Sequence, residues 1–399
     1  MRRGSGLPLF LFMGVLTLAL GIYLGGHPST LPDPVRDALV QDSDAETYDE
    51  AIDTIERDYY RKVDRTDLLN QSLDHAVRSL DDRFSNYFAP RDYADFQQAT
   101  EGRFEGVGMS VQPTDEGLKI VAVYDGSPAA EGGLKKGDII TEVDGRSIAG
   151  ASSEESTTRI KGPAGTEVKL KVRTGKDERE LTLKRAEVEI PVVQSRMRTA
   201  PDGKKVAWVR LAGFTAGAHD AVGDAVKQLL DDGAEGVVLD LRDNGGGLLN
   251  EAVQISSIFI PDGRIVSTRG RARPERVYDA TGGAIDSDIP VAVLVNDNSA
   301  SASEIVTGAL QDRDRATVVG TRTFGKGVFQ EIEPLSNGGA LDITVGEYFL
   351  PSGRNLGGGG VKRGAGISPD VKAPDDPKTP KQDETVNAGV QVLAGQLGQ

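Results

Sequence analysis

Gly236-Val237-Val238-Leu239-Asp240-Leu241-Arg242-Asp243-Asn244-Gly245-Gly246-Gly247, running on into Leu248–Phe259, is the stretch from which the architecture follows. Residues 236–241 are apolar almost without interruption, as in a strand covered on both faces rather than one facing water. Three glycines then permit a tight turn with positive φ. Beyond them apolar residues recur at helical spacing. The same alternation continues on both sides. Val206–Arg210 reads as a strand and Ala218–Asp231 as a helix; Val291–Val295 reads as another buried strand and Ser301–Asp312 as another helix. Strands alternating with crossover helices predict a sheet with helices on its faces.

Other patterns precede this α/β body. Tyr48, Ile52, Ile55 and Tyr59 recur at helical spacing, as do Leu68, Leu69, Leu73, Ala76, Val77 and Leu80. They predict a helical region over 45–101, broken at Leu80–Pro90 and resumed through Tyr93 and Phe96. From Gly102 the period changes. Gly106–Val111 and Leu118–Val123 read as paired strands around Asp115-Glu116-Gly117. A short helix opens at Ser127-Pro128-Ala129-Ala130, a strand runs from Gly137 toward Val143, Ser153–Ile160 is helical, and Glu167–Arg173 and Glu180–Lys184 close a small β-rich domain with two helices, 102–186. The body follows over 187–370. In the tail, 371–399, the amphipathic stretch Glu384–Leu397 is suited to dock as a helix. The fold class is α/β and multi-domain.

Arg2 and Arg3 precede an apolar run from Leu7 to about Gly25. It approaches the roughly 20 residues needed to cross a bilayer. A cleaved signal peptide has an apolar region of about 7–15 residues and an Ala-x-Ala-like site, which is not visible here. Residues 1–26 therefore predict an uncleaved single-pass anchor, with a cleaved signal segment as the alternative. Residues 27–44, rich in Pro and Asp, read as a linker. The positive-inside rule places the remainder on the extracytoplasmic side of the cell membrane; cleavage would leave it exported. The formal net charge of −15 argues against a nucleic-acid binder, since no basic stripe offsets phosphate repulsion. With no cysteine, disulfides, thiolate catalysis and Cys-based zinc sites are excluded.

Two segments carry candidate chemistry. Ser299-Ala300-Ser301-Ala302-Ser303-Glu304 opens a helix, and Phe324-Gly325-Lys326-Gly327-Val328-Phe329-Gln330 follows. A serine is a useful nucleophile only when a neighbouring base takes its proton. The three histidines, His27, His75 and His219, are all remote from a serine-bearing turn. If Ser301 is the nucleophile, Lys326 is the best base on offer, with Ser299 and Ser303 as fallback nucleophiles. The plain alternative is a capping box, in which Ser301 and Glu304 satisfy free helix amides. Lys326 must be neutral to act, and burial can lower a lysine from about 10.4 by roughly 3–5 pH units. Phe324, Val328 and Phe329 supply apolar surroundings; an exposed lysine on a Gly-rich turn is the commoner arrangement. Gln330 could orient the amine as an acceptor, or be an ordinary strand polar residue. An oxyanion hole would use the Ala302 amide and one from Gly246 or Gly247. Those glycines otherwise serve a positive-φ turn, and Asp240 and Arg242 would brace it by pairing or capping. No metal-ligand cluster or cofactor fingerprint is found.

Five segments together resemble the carboxyl-terminal processing proteases, also called tail-specific proteases. They are Gly126-Ser127-Pro128-Ala129-Ala130 with Gly137-Asp138-Ile139-Ile140; Asp240–Gly247; Ser299–Glu304; Phe324–Gln330; and Tyr348–Arg354 with Gly366-Ile367-Ser368-Pro369-Asp370. The resemblance spans about residues 45–395. It implies a PDZ domain at 102–186 and a serine protease core of the ClpP/crotonase-like kind at 187–370. It implies a Ser-Lys dyad assisted by glutamine, with Ser301 as nucleophile, Lys326 as general base 25 residues later, and Gln330 in support. Two departures stand out. The loop reads Asn-Gly-Gly-Gly where many members have Asn-Pro-Gly-Gly, and Asp82-Arg83-Phe84-Ser85 replaces a common Asp-Pro-Tyr-Ser, a change expected to affect packing more than chemistry.

A PDZ domain adds a peptide strand to a sheet edge and caps its carboxylate with backbone amides. Phe104, Glu105, Gly106, Val107 and Gly108 match the carboxylate loop. Val107, Met109 and Ile160 would line a pocket for the last side chain, unless they are plain core. The implied activity is a membrane-bound serine endopeptidase acting on protein or peptide substrates with apolar C-termini, without a cofactor. An adaptor and a homo-oligomer are left open. The rival is a non-catalytic PDZ receptor for exported C-termini.

Overall fold

The computed structural model describes residues 43–376, 378, 379 and 382–398. The anchor expected at 1–26 and the linker up to residue 42 lie outside the described residues. Among the described residues no helix is long and apolar enough to cross a membrane. The chain falls into two compact units, one ending at Asp81 and one beginning at Asp82.

In the first unit, α1 (Ser43–Asp58) and α2 (Arg65–Arg78) follow the predicted apolar stripes, burying Ile52 and Val77. Asp64 caps α2, accepting from the Thr66 amide at 2.8 Å. The region read as one helical stretch over 45–101 divides at Asp81. Its later part, β1 (Asn86–Phe88) and α3 (Pro90–Glu101), belongs to the second unit.

The small domain follows. The strand expected over Gly106–Val111 is two strands, β2 (Arg103–Gly106) and β3 (Met109–Thr114). Gly108 breaks the run: its φ is +85°, and a Cβ there would lie 2.1 Å from the Ser127 Cβ. β4 (Gly117–Val123), α4 (Pro128–Glu131), β5 (Ile139–Val143), β6 (Arg146–Ser147), α5 (Ser153–Ile160), β7 (Glu167–Thr174) and β8 (Asp177–Lys184) complete it. The sheet order is β3-β4-β5-β7-β8, so β3 is an edge, and β2 pairs instead with β9 (Ala186–Glu189). Its core gathers Leu118, Ile120, Ile140, Val168, Leu170 and Val172, all nearly sealed from solvent.

The body is built from β10 (Val193–Thr199), β11 (Lys205–Leu211), α6 (Ala218–Asp231), β12 (Gly236–Asp240), α7 (Leu249–Ser257), β13 (Arg264–Gly270), β14 (Arg273–Asp279), β15 (Val291–Val295), α8 (Ala302–Asp312), β16 (Ala316–Gly320), β17 (Val328–Pro334), β18 (Ala340–Phe349), β19 (Val371–Lys372) and α9 (Glu384–Leu397). One sheet has the order β10-β11-β12-β15-β16-β19, parallel from β11 onward. Period two divides its residues between two faces. Val209, Val237, Leu239, Val291 and Val293 pack with α6, α7 and α8; Val206, Trp208, Val238, Ala292 and Leu294 pack with Val386, Val390 and Leu393 of α9. Helices thus cover both faces, which is why β12 and β15 are buried along their whole lengths. A second sheet, β1-β18-β13-β14 with β17 on β18, has no counterpart in the sequence reading. It brings the Asp82–Ser85 turn, β17 and β18 to one place.

Candidate active site

β15 delivers its chain end to a turn, and α8 starts from it. Ser301 caps α8 in a rare conformation, φ +54° and ψ −115°, and is almost fully buried. A non-glycine residue held there is strained and persists only where its surroundings impose it. The surroundings are visible. Asn244 accepts the Ala300 amide at 3.1 Å and the Ser303 hydroxyl at 2.8 Å on its carbonyl, while its side chain donates to Leu211 O at 2.9 Å. The glycine loop is thereby tied to the serine turn.

The three serines separate cleanly. Ser299 Oγ donates to Leu241 O at 2.8 Å, and Ser303 Oγ is spent on Asn244; both are fully buried. Their hydroxyls serve the backbone. The Ser301 hydroxyl instead meets the Tyr348 phenol, which burial pushes well above its ordinary pKa while the Ser301 contact opposes the rise. Ser301 and Glu304 form the capping-box pair at the start of α8, with the Ser301 amide donating to Glu304 Oε2 at 3.0 Å.

Glu304 does more than cap. Its Oε2 also accepts the Lys326 amide at 2.9 Å, and its Oε1 accepts the Gly325 amide at 2.7 Å and the Thr323 hydroxyl at 2.5 Å. One carboxylate therefore holds the serine turn and the lysine segment together. Burial pushes Glu304 above the usual carboxylate range, and four donors pull it back toward the charged form. Glycine is required around it. A Cβ at Gly325 would fall 2.4 Å from Lys362 O, and one at Gly366 would fall 2.3 Å from Glu304 Oε1.

Lys326 is half-buried, and desolvation lowers its pKa; Asp342 and Asp82 oppose the drop, Arg83 adds to it, and Glu304 opposes it. Nζ donates to Gln330 Oε1 at 2.8 Å. Gln330 Nε2 donates to Thr344 Oγ1 at 2.9 Å, which orients the amide with its oxygen toward the amine. Thr344 N donates to Ser85 Oγ at 3.0 Å, and Ser85 Oγ to Asp82 Oδ2 at 2.8 Å. The Phe84 ring lies 4.7 Å from Nζ. The Asp82–Ser85 turn, expected to matter for packing, is part of the lysine's immediate surroundings. The reason is long-range: β1 pairs with β18 and carries the turn to β17.

Of the candidate oxyanion-hole residues, Ala302 is the first residue of α8, where helix amides lack an intrahelical acceptor. Gly246 lies against it: a Cβ there would be 2.9 Å from Ser301 Cβ and 3.0 Å from Ala302 N. The Gly246 amide donates to Asn244 Oδ1 at 2.9 Å, whereas Gly247 bridges to Phe214. Asp240 and Arg242 brace the strand before the loop. Arg242 Nη2 lies 2.6 Å from Asp240 Oδ2, and Nη1 reaches Asp375 and Asp383 at 2.8 Å each.

The small domain holds the remaining candidates. Phe104, Glu105 and Gly106 lie on β2 and pair with Val188, Glu187 and Ala186. Val107 O accepts the Ala129 amide at 2.7 Å, and Gly108 O accepts the Ser127 hydroxyl at 3.0 Å. Val107 and Ile160 are 2% and 5% exposed and belong to the closed core, and Met109, half-buried on edge strand β3, packs against that core. Among the described residues no group of histidines and carboxylates is arranged to hold a metal ion.

Comparison with known proteins agrees with this layout. Residues 205–373 match the family described as Peptidase family S41, and residues 106–184 match the PDZ domain. A carboxyl-terminal-processing protease of Synechocystis sp. is 35% identical over 369 residues, spanning 89% of this chain and 85% of that protein. A carboxy-terminal-processing protease of Bartonella bacilliformis is 35% identical over 329 residues, 81% of this chain and 74% of the other. Among solved structures, a photosystem II D1 C-terminal processing protease superposes with a TM-score of 0.51 at 28% identity, covering 88% of this chain and 98% of that one.

Proposed function

The chain belongs to the carboxyl-terminal processing proteases, serine peptidases of family S41 with a PDZ domain, and on that premise we propose that it is an endopeptidase working through Ser301, Lys326 and Gln330. Neutral Lys326 takes the proton of the Ser301 hydroxyl as Oγ attacks the scissile carbonyl carbon. The Ala302 amide and a glycine of the 245–247 loop hold the resulting oxyanion. The protonated lysine then gives its proton to the leaving amine, and water hydrolyses the acyl-serine. Gln330 keeps the lysine amine in place by accepting from it. The observation that carries this reading is the single Glu304 carboxylate oxygen shared by the Ser301 and Lys326 amides, 3.0 and 2.9 Å away.

The small domain takes the substrate's free C-terminus as an added strand on β3, with the Phe104–Gly108 segment capping the carboxylate. The apolar run behind Arg2 and Arg3 supports an anchored enzyme acting on exported proteins outside the cytoplasm. Purified protein carrying Ser301→Ala or Lys326→Ala should fail to cleave an unfolded protein that the parent degrades. Full activity in both variants would remove the dyad.

A further inference from the structure

Phe84 presents its ring to two cations: Lys326 Nζ and Arg83 Cζ each lie 4.7 Å from its centroid. The Arg83 guanidinium also lies 5.5 Å from the Phe324 ring, two residues before Lys326. Arg83 is exposed, and among the described residues no carboxylate holds it in an ion pair. We propose that Arg83 is a positioning residue for the reaction, one that keeps the Lys326 amine neutral by placing a permanent positive charge on the same aromatic ring. The proposal rests on Lys326 acting as the general base.

The physical case is a competition. An arginine side chain does not give up its proton in a protein, whereas a lysine does. When both crowd one ring, the lysine is the partner that becomes neutral. The charged groups facing Lys326 are Asp342 on β18, Asp82 and Arg83 on the turn, and Glu304 on α8. Three of these are carboxylates and favour an ammonium. Asp342 does so less than its formal charge suggests, because burial pushes its own pKa up. The face of Phe84 also attracts a cation, and Arg83 takes part of that attraction for itself. Gln330 Oε1 accepts from the amine in either charge state. Desolvation lowers Lys326, and Arg83 alone among the four charged neighbours acts in the same direction. The turn is fixed well enough to hold this arrangement: Asp82 accepts the Phe84 amide at 3.0 Å and the Ser85 hydroxyl at 2.8 Å.

The test is the pH dependence of kcat/KM for a tailed peptide, measured with the parent, Arg83→Gln and Arg83→Lys. Losing the cation raises the lysine's pKa, so the amine becomes neutral only at higher pH and the acidic limb moves up. Coulomb's law at an effective dielectric between protein and water gives roughly half a pH unit. Arg83→Lys should restore the parent limb, and added salt should shrink the difference. An unmoved limb in a folded Arg83→Gln enzyme overturns the proposal, as does a uniform fall in rate at every pH. Lys326→Ala measured alongside separates the layers: if it is inactive, an unmoved limb sinks this proposal alone, and if it turns over, the dyad itself is wrong.

Discussion

Glu304 shows how much one side chain can determine. Its two oxygens accept four donors drawn from the serine turn and from residues 323–326. Glu304→Gln keeps the shape but exchanges one oxygen for an NH2 that faces donors. Leaving buried groups unpaired costs about 1–3 kcal/mol. We expect a lower melting temperature and a kcat reduced at least about tenfold, checked by thermal melts and peptide turnover; unchanged turnover would mean that another group sets the spacing of the two segments. Ser301, Lys326 and Gln330 stood out as candidates because local features mark them: small neighbours, glycine flanks and an i+4 amide. Glu304 was legible only as a helix cap, since its tie to Lys326 spans 22 residues. Asp82, Phe84 and Tyr348 stood out only as parts of segments that carry the resemblance, and Asp342 and Thr344 had no local signature. Each reaches the site through strand pairing that one-dimensional spacing does not reveal.

The elements divide in the same way. β12, β15 and α9 could be placed almost to the residue, because continuous apolar runs and helical stripes are local signals. The sheet containing β13, β14, β17 and β18 could not. β18 alternates Leu341, Ile343 and Val345 with Asp342 and Thr344, and the polar pair serves Lys326 and Gln330 rather than solvent. Gly108 hid a similar break, since glycine inside an apolar run marks a bend only when its φ is known. α9 covers a full face of the six-stranded sheet, so its contribution belongs to the core. Leu393 is completely buried there, and Leu393→Ala should cost about 2–5 kcal/mol. Chemical denaturation of the purified enzyme measures this; a cost below about 1 kcal/mol would show that α9 is a loose appendage.

At the scale of the molecule, the small domain and the body have separate cores. The small domain's cluster around Ile120 and Val172 shares no residue with the body's clusters. The peptide strand proposed to add to β3 would lie on a sheet that contains neither β12 nor the strands leading into α8. Amidating the last residue of a tailed substrate removes the carboxylate that the Phe104–Gly108 segment would cap. Charge-assisted hydrogen bonds contribute about 1.5–3 kcal/mol, so KM should rise at least about tenfold while kcat holds. Equal KM for the acid and the amide would remove the terminal carboxylate from recognition.

The clamp between Arg242 and Asp383 carries a consequence for the order of synthesis. A ribosome completes Ser301, Lys326 and Gln330 before it reaches α9. Until that helix emerges, Trp208, Val238 and Leu294 have no cover on their side of the sheet, and Arg242 lacks one of its partners. A premature stop after residue 330 and before residue 384 would thus release a polypeptide bearing Ser301, Lys326 and Gln330 yet missing the helix that covers one side of its sheet. Such a fragment should fail to fold, because the apolar side of the sheet around Trp208, Val238 and Leu294 would stay in water.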